Sequence, residues 1–439
     1  MAIDTLPVAL QNIIQGHYLE RKFLDGLNST LGFRAIADRE MIPMKLGETV
    51  TKTRAGLLIP STTPLDPSTN LNLDNGMTPQ NWGVEQYTLS MSAYGNTMDL
   101  NQVTSKVAIA ELFVQNNDKL AIQARQTLDR LARNALYATY LGANTIVTTT
   151  LVSAGPIIAV DNVVGFENIS SNGVLTPVST GNPMAVAVGS SSYTLVATSY
   201  DATNVSSLAA YGGRSGTLTF ATNVTIGNGT AGNPVTSSVA PSVLRAGNRT
   251  TTLGLGTGGA ADLLTLGTVL SAVAQLRDNG VPDIRGLYNC YLDNKTLLEL
   301  FQDPMFQNLF RGAYGSTAIK EGDLIQLMGV RFIPTTEAPQ QTLNGTRIRR
   351  AIVCGQGALI EGAFEGLDTA EESPQSLSFM VDGVLLVVRP PLDRLGQIIG
   401  QSWCWMGGYC VPTDVTATSN IIPTASNAYW KRAVVIECL

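Results

Sequence analysis

Between residues 105 and 141 apolar side chains return every three or four positions. Leu120, Ala124, Leu128, Leu131 and Ala135 fall on one stripe, and Lys119, Gln123, Gln126, Arg130 and Arg133 take the other side. This is the pattern of an amphipathic helix. Ser105 is placed to cap its start and Gly142 to stop it, and no Pro or Gly interrupts the run between them. Such a helix would be roughly 55 Å long at 1.5 Å per residue. A shorter amphipathic helix is predicted over 7–27 from Leu10, Ile13, Ile14, Leu19 and Phe23, with Gly26 near its end. Period two replaces the helical period at 84–93, where Tyr87, Leu89 and Met91 alternate with Thr88, Ser90 and Ser92. A second strand is read at 47–56. The long polar stretch between the two carries Pro60, Pro64, Pro67 and Pro79, so the whole reads as an extended hairpin arm.

At about residue 143 the pattern changes. As far as residue 260 the only charged residues are Asp161, Glu167, Asp201, Arg214, Arg245 and Arg249. Short alternating runs (184–188, 193–198, 217–221, 223–226) are separated by Gly/Asn/Pro turns. They predict an all-β sandwich or barrel, with disorder as the competing reading of so polar a stretch. Mixed α/β character then resumes. Leu266, Val269, Leu270, Val273 and Leu276 mark a helix stopped at Asn279-Gly280; Tyr288–Leu292 reads as a strand, and Asp293 or Asn294 caps a helix through Phe301. Strands follow at 330–334 and 351–354, then an apolar pair over 380–388 broken at Asp382-Gly383, and final strands at 401–411 and 429–437.

Composition narrows the class. The 439 residues suggest two or three domains at about 150 residues each. Only 14% of residues are charged, against roughly 25% in ordinary globular chains. A surface so poor in charge suits an assembly subunit better than a free monomer. The net charge of -6 argues against a dedicated nucleic-acid binder. No signal-peptide pattern opens the chain and no run of eighteen apolar residues occurs, so no membrane partner is expected. Five cysteines, an odd number and all in the C-terminal half, read as free thiols.

Candidate chemistry is sparse. His17 is the only histidine, so no Ser/His/Asp or Cys/His set can be assembled. Cys404 and Cys410 lack a second ligand pair, and no metal or cofactor is expected. Gly254, Gly256 and Gly259 spell GxGxxG, but the preceding RTTTL is a poor buried strand; the glycines read as a flexible return linker rather than a nucleotide loop.

Four stretches resemble the major capsid proteins of tailed bacteriophages, of the Hong Kong ninety-seven fold and its podovirus-like branch. They are QTLDRLARNALYATYLGAN (126–144), YNCYLDNKTLLELFQDPMF (288–306), EGDLIQLMGVRFIPTTEAP (321–339) and RPPLDRLGQIIGQSWCWMGGYCV (389–411). The resemblance covers most of 1–142 and 260–439. It implies an α+β fold with an N-terminal arm (1–40), an E-loop hairpin (41–100), a P-domain spine helix (101–142), an A domain (261–384) and P-domain return strands (385–439). Residues 143–260 depart from it as an inserted β-sandwich-like domain, expected on the outer face of a shell. The resemblance further implies a non-enzymatic homo-oligomer of hexamers and pentamers enclosing double-stranded DNA with weak contact. A separate scaffolding protein is expected because the arm begins almost at Met1. A portal and a decoration protein complete the expected partners, with assembly in the host bacterial cytoplasm and residence in the virion. Trp82, Tyr87, Leu89 and Met91 of the hairpin are the expected inter-subunit contacts. Arg125, Arg130 and Arg133 are expected lumen or inter-subunit charges. The alternative is another self-assembling β-rich protein, of a surface layer or a fibre.

Overall fold

The computed structural model describes residues 10, 18–27, 32–43, 49–62, 64, 79–101, 109–171, 174–205, 213–312, 325–343, 345–365, 377–391, 394–416 and 419–439. The chain forms two compact units. The first comprises Met1–Val50, Thr88–Ala135 and Leu359–Cys410; the second comprises Thr51–Tyr87, Leu136–Ala358 and Val411–Leu439. His17 and Ser105 lie outside the described residues.

The first unit is built on helices α1 (Tyr18–Leu27) and α2 (Ile109–Tyr140), the latter as far as Ala135. The described 32 residues of α2 give a rod of about 48 Å. The predicted stripe is the buried one: Leu120, Ala124 and Leu128 pack with Phe23, Trp403 and Trp405. Gly26, near the end of α1, serves the crossing of α1 and α2. A Cβ there would stand 2.7 Å from the Ala121 Cβ. Among the described residues four strands precede α2: β1 (Asp38–Pro43), β2 (Thr49–Ala55), β3 (Val84–Ser90) and β4 (Ser92–Asn101). β2 and β3 pair as a two-stranded sheet. β4, expected within the hairpin arm, instead lies along a late strand of the first unit, so the arm ends near Ser90.

The segment 144–237, wholly in the second unit, is an antiparallel barrel rather than a sandwich. Its strands are β5 (Asn144–Ile146), β6 (Gly155–Val160), β9 (Met184–Val188), β10 (Ser191–Val205), β11 (Arg214–Val224) and β12 (Pro234–Ser237), with β7 (Asn168–Ser171) and β8 (Val174–Pro177) as a side hairpin. The pairs run β5-β12-β9-β10-β11-β6, and an antiparallel bridge from Val147 to Val160 closes the ring. Alternate residues fill the interior: Val147, Ile158, Val160, Met184, Val186, Val188, Leu195, Leu218, Phe220 and Val235. Closure removes the open edges that a sandwich of such short strands would expose. Entry and exit are adjacent, the Ser237 amide donating to the Ala143 carbonyl at 3.0 Å.

The expected return point at residue 260 is too late. β13 (Val243–Arg245) already pairs in parallel with β23 (Ala433–Cys438). That strand sits in a mixed sheet of order β13-β23-β18-β14-β16-β15, with β17 on β18. Its members are β14 (Tyr288–Leu292), β15 (Ile325–Leu327), β16 (Val330–Pro334), β17 (Gln340–Leu343) and β18 (Thr346–Cys354). Helices α3 (Leu266–Asp278), α4 (Asn294–Gln302) and α5 (Pro304–Gly312) accompany it. Leu266, Val269 and Val273 of α3 pack with Cys290, Val353 and Ile436. The stretch Gly259–Asp278 is apolar enough to be weighed as a membrane span. However, its backbone is extended at Leu263 and Thr265, which leaves a helix of 13 residues, short of the roughly 20 a span needs.

The chain re-enters the first unit through β19 (Ile360–Glu365), β20 (Leu377–Val381), β21 (Val384–Arg389) and β22 (Ile398–Cys410). The sheet order is β1-β19-β22-β21-β20, with β4 registered on β22 from Ser92↔Gly407 to Asn101↔Ile398. The break expected at Asp382-Gly383 is the β20–β21 turn, both residues having positive φ (49° and 79°). Two expected boundaries move. β19 and β20 belong with β22 rather than with the sheet of residues 288–354. The tail 411–439, expected among the return strands, ends in the second unit, where β23 is a central strand buried along its whole length. Its hydrophobic run identified a strand; which sheet it joined depended on hydrogen-bond partners far away in sequence.

Candidate subunit-contact surface

β3 alternates strictly, with Glu85, Tyr87 and Leu89 inward and Val84, Gln86 and Thr88 outward. The inward positions, and Met91 beyond them, are covered by the chain itself, so Tyr87, Leu89 and Met91 are core positions of this chain. Within the first unit Leu89 and Met91 pack with Val50 and Cys410, and Leu89 Cδ2 fills the space that a Cβ at Gly362 would need. In the second unit the Tyr87 ring is buried, with the Arg54 guanidinium 6.0 Å from its centroid. Trp82 is 54% exposed. The apolar surface left free consists of Leu57, Leu58, Ile59 (70% exposed), Trp82 and Val84, gathered where the paired strands open into the Pro-rich connection. We call this place the neck of the hairpin.

The neck is tied down within the second unit. The Gly56 amide donates to the Gly83 carbonyl at 2.8 Å, and the Leu57 amide to the Asn420 carbonyl at 2.8 Å. Arg54 Nη1 reaches the Thr413 carbonyl (3.2 Å) and Asp414 Oδ1 (3.3 Å), and Arg432 Nε meets the same carboxylate oxygen at 2.7 Å. A Cβ at Gly56 would meet Ser419 Oγ, which would have to turn away from Thr416 to make room. Glu85 is almost wholly buried beside this knot. Burial pushes its carboxyl up to about 8, with the Asp414 charge adding to the rise and Arg54, the Thr413 amide and Arg432 opposing it. Lys431, also buried, donates to Asn420 Oδ1 at 2.8 Å, and burial pushes its ammonium down to about 8 against the pull of Asp414. The sequence reading passed over Glu85, although it shares the parity of Tyr87 and Leu89.

The helix arginines separate. Arg130 is exposed and Arg125 half-buried, whereas Arg133 is buried, its Nε and Nη2 3.3 and 3.1 Å from Asn134 Oδ1. Arg133 thus sits on the inward side of the helix, unlike Arg125 and Arg130. In the first unit Arg34 joins Glu361 (2.7 Å) and Asp382 (3.1 Å), and its amide donates to Asp129 Oδ1 at 3.2 Å; this fixes the N-terminal stretch to the sheet and to α2.

The glycine-rich segment is an internal cradle, not a linker. The Gly256 and Gly258 amides donate to Asp262 Oδ2 at 2.9 and 2.7 Å, and Arg249 Nε meets Oδ1 at 2.8 Å. Burial alone would raise the Asp262 carboxyl, but the Arg249 bond and the two amides hold it below its usual range. The amides that a phosphate would need are thus spent on the chain's own carboxylate. All five cysteines are free thiols. Among the described residues no three His, Cys, Asp or Glu side chains are grouped to hold a metal.

No protein-family model matches the chain, and no curated protein matches it either. Among solved structures it is similar to the capsid of Ralstonia phage GP4, at 11% identity and a TM-score of 0.50, with 93% of this chain and 88% of that chain covered. It is also similar to the capsid of cyanophage Pam1 (12% identity, TM-score 0.48, 96% and 93% covered) and to that of Helicobacter pylori bacteriophage KHP30 (10%, 0.47, 94% and 90%). At these identities the likeness is one of fold, and the first structure carries it. This chain has an α+β fold of mixed sheets and helices, shared over nearly its whole length with the capsid of Ralstonia phage GP4.

Proposed function

We propose that this protein is a major capsid protein: a non-enzymatic structural subunit that assembles with copies of itself into the hexamers and pentamers of an icosahedral phage head. The observation that carries the reading is the fold shared with the Ralstonia phage GP4 capsid over nine-tenths of the chain. The low charge content and the exposed apolar collar at the neck support it, because both suit surfaces that become buried between copies. In this reading the lateral contact is made by Leu57, Leu58, Ile59, Trp82 and Val84. Arg125 and Arg130 face a neighbour or packaged DNA, and the barrel of 144–237 is an inserted domain on the outer face. A scaffolding protein, a portal and a decoration protein are the expected partners. Assembly takes place in the bacterial cytoplasm, on a podovirus-like plan. The test is negative-stain microscopy of the purified chain, alone and with a scaffolding protein encoded beside it. Closed shells or hexameric sheets support the proposal; fibres, or a protein that stays monomeric in both preparations, overturn it.

A further inference from the structure

We propose that Glu85 is a proton-operated latch on the neck of the hairpin: the neck is held against Thr413, Asp414 and Asn420 while the carboxyl carries a proton and is loosened when the proton leaves. The geometry is specific to this place. Glu85 occupies an inward position of a strand whose only sheet partner among the described residues is β2, and an isolated strand pair is marginally stable in water. The neck therefore depends on what lies beneath it, namely the Leu57–Asn420 and Arg54–Thr413 bonds and the Arg54–Asp414–Arg432 ion pairs.

Every charged group near Glu85 bears on the outcome. Arg54 comes from β2, Asp414 and the Thr413 amide from the segment after β22, and Arg432 from the approach to β23; Tyr140 of α2, buried and raised by that burial, shares Asp414, Arg432 and Arg54 as neighbours. Both arginines already serve Asp414, at 3.3 and 2.7 Å. An ionised Glu85 would thus compete with Asp414 for two cations in a site closed to water. Neither of its carboxyl oxygens has a hydrogen-bond partner of good geometry to offset the lost hydration, though the Thr413 amide gives the charge some support.

The direction follows from proton linkage. The folded neck keeps the Glu85 proton up to about pH 8, whereas an opened neck releases it near the ordinary 4.5. Across that window the docked state binds more protons than the opened state, so docking weakens as pH rises and levels off above about 8. The consequence is a collar of exposed apolar residues whose mobility is set by pH.

The experiment is hydrogen–deuterium exchange of the full chain at several values between about pH 5 and about pH 9, corrected for the intrinsic exchange rate, reading peptides over 49–60 and 80–90. Protection there should fall by up to about tenfold per pH unit through the window, while barrel peptides stay flat. Glu85→Gln, neutral at every pH, should hold the low-pH protection throughout. A flat wild-type profile overturns the latch without reference to any variant. So does Glu85→Gln following the wild-type fall, or a fall of equal size in the barrel peptides. If Glu85→Gln does not fold, Glu85→Met takes its place with the same expected and overturning outcomes.

Discussion

Asp262 shows how much a single buried charge can organise. Its carboxylate collects two glycine amides and Arg249, and its own carbonyl accepts the amide of the last residue, Leu439, at 3.1 Å. Asp262→Ala would leave Arg249 and both amides facing a void. We expect it to cost about 1–3 kcal/mol in denaturant unfolding, the usual penalty for leaving buried donors without an acceptor; no measurable loss would mean the cradle is not organised by its carboxylate. Lys431 gives a pH signature of its own. Its folded pKa is lowered to about 8 from an ordinary 10.5, so between those values the unfolded chain binds more protons than the folded one. Its contribution to stability therefore rises with pH through that window, and Lys431→Met should remove that rise from a stability-versus-pH curve.

At the scale of the element, the hairpin separates residues that hold the fold from residues left for a partner. Leu89 is fully buried within the first unit and Trp82 is more than half exposed, though the sequence placed both in one contact set. Leu89→Ala should destabilise the subunit by about 2–5 kcal/mol. A paired Ile59→Ser, Trp82→Ala change should leave unfolding within about 0.5 kcal/mol of the parent and yet block shell formation. Circular dichroism melts and micrographs of the same samples distinguish the two classes. Normal shells from the paired variant would remove the neck from the proposed interface.

At the scale of the whole molecule, the barrel can be treated as a separable module. Its two ends are hydrogen-bonded at Ala143 and Ser237, its strand ring closes on itself, and its core is its own. A chain with residues 144–237 replaced by a short Gly/Ser linker should retain the 288–354 sheet and its cooperative unfolding. The excised segment should fold alone, with a β circular dichroism spectrum and a sigmoidal melt. Either half unfolding in isolation would show that the two share a core.

What the sequence by itself determined is local. The helix stripe from Leu120 to Leu128, the turn at Asp382-Gly383, the alternation in β3 and the compositional break at residue 143 are carried by near neighbours in the chain, and period and turn chemistry suffice to read them. Four motifs in order carried the resemblance to tailed-phage capsid proteins, and the fold shared with the Ralstonia phage GP4 capsid agrees with it. Only the tertiary structure decided which segments became partners where no local period or turn pattern names the partner. It set β23 in the second unit's sheet and β4 along β22, closed the barrel through Val147 and Val160, and turned a phosphate-like glycine loop onto Asp262. It also placed Glu85 beside Asp414, two carboxyls 329 positions apart in the chain. Alternation marks Glu85 as inward; that the inside holds a second acid and two shared arginines depends on long-range packing, which no local pattern encodes.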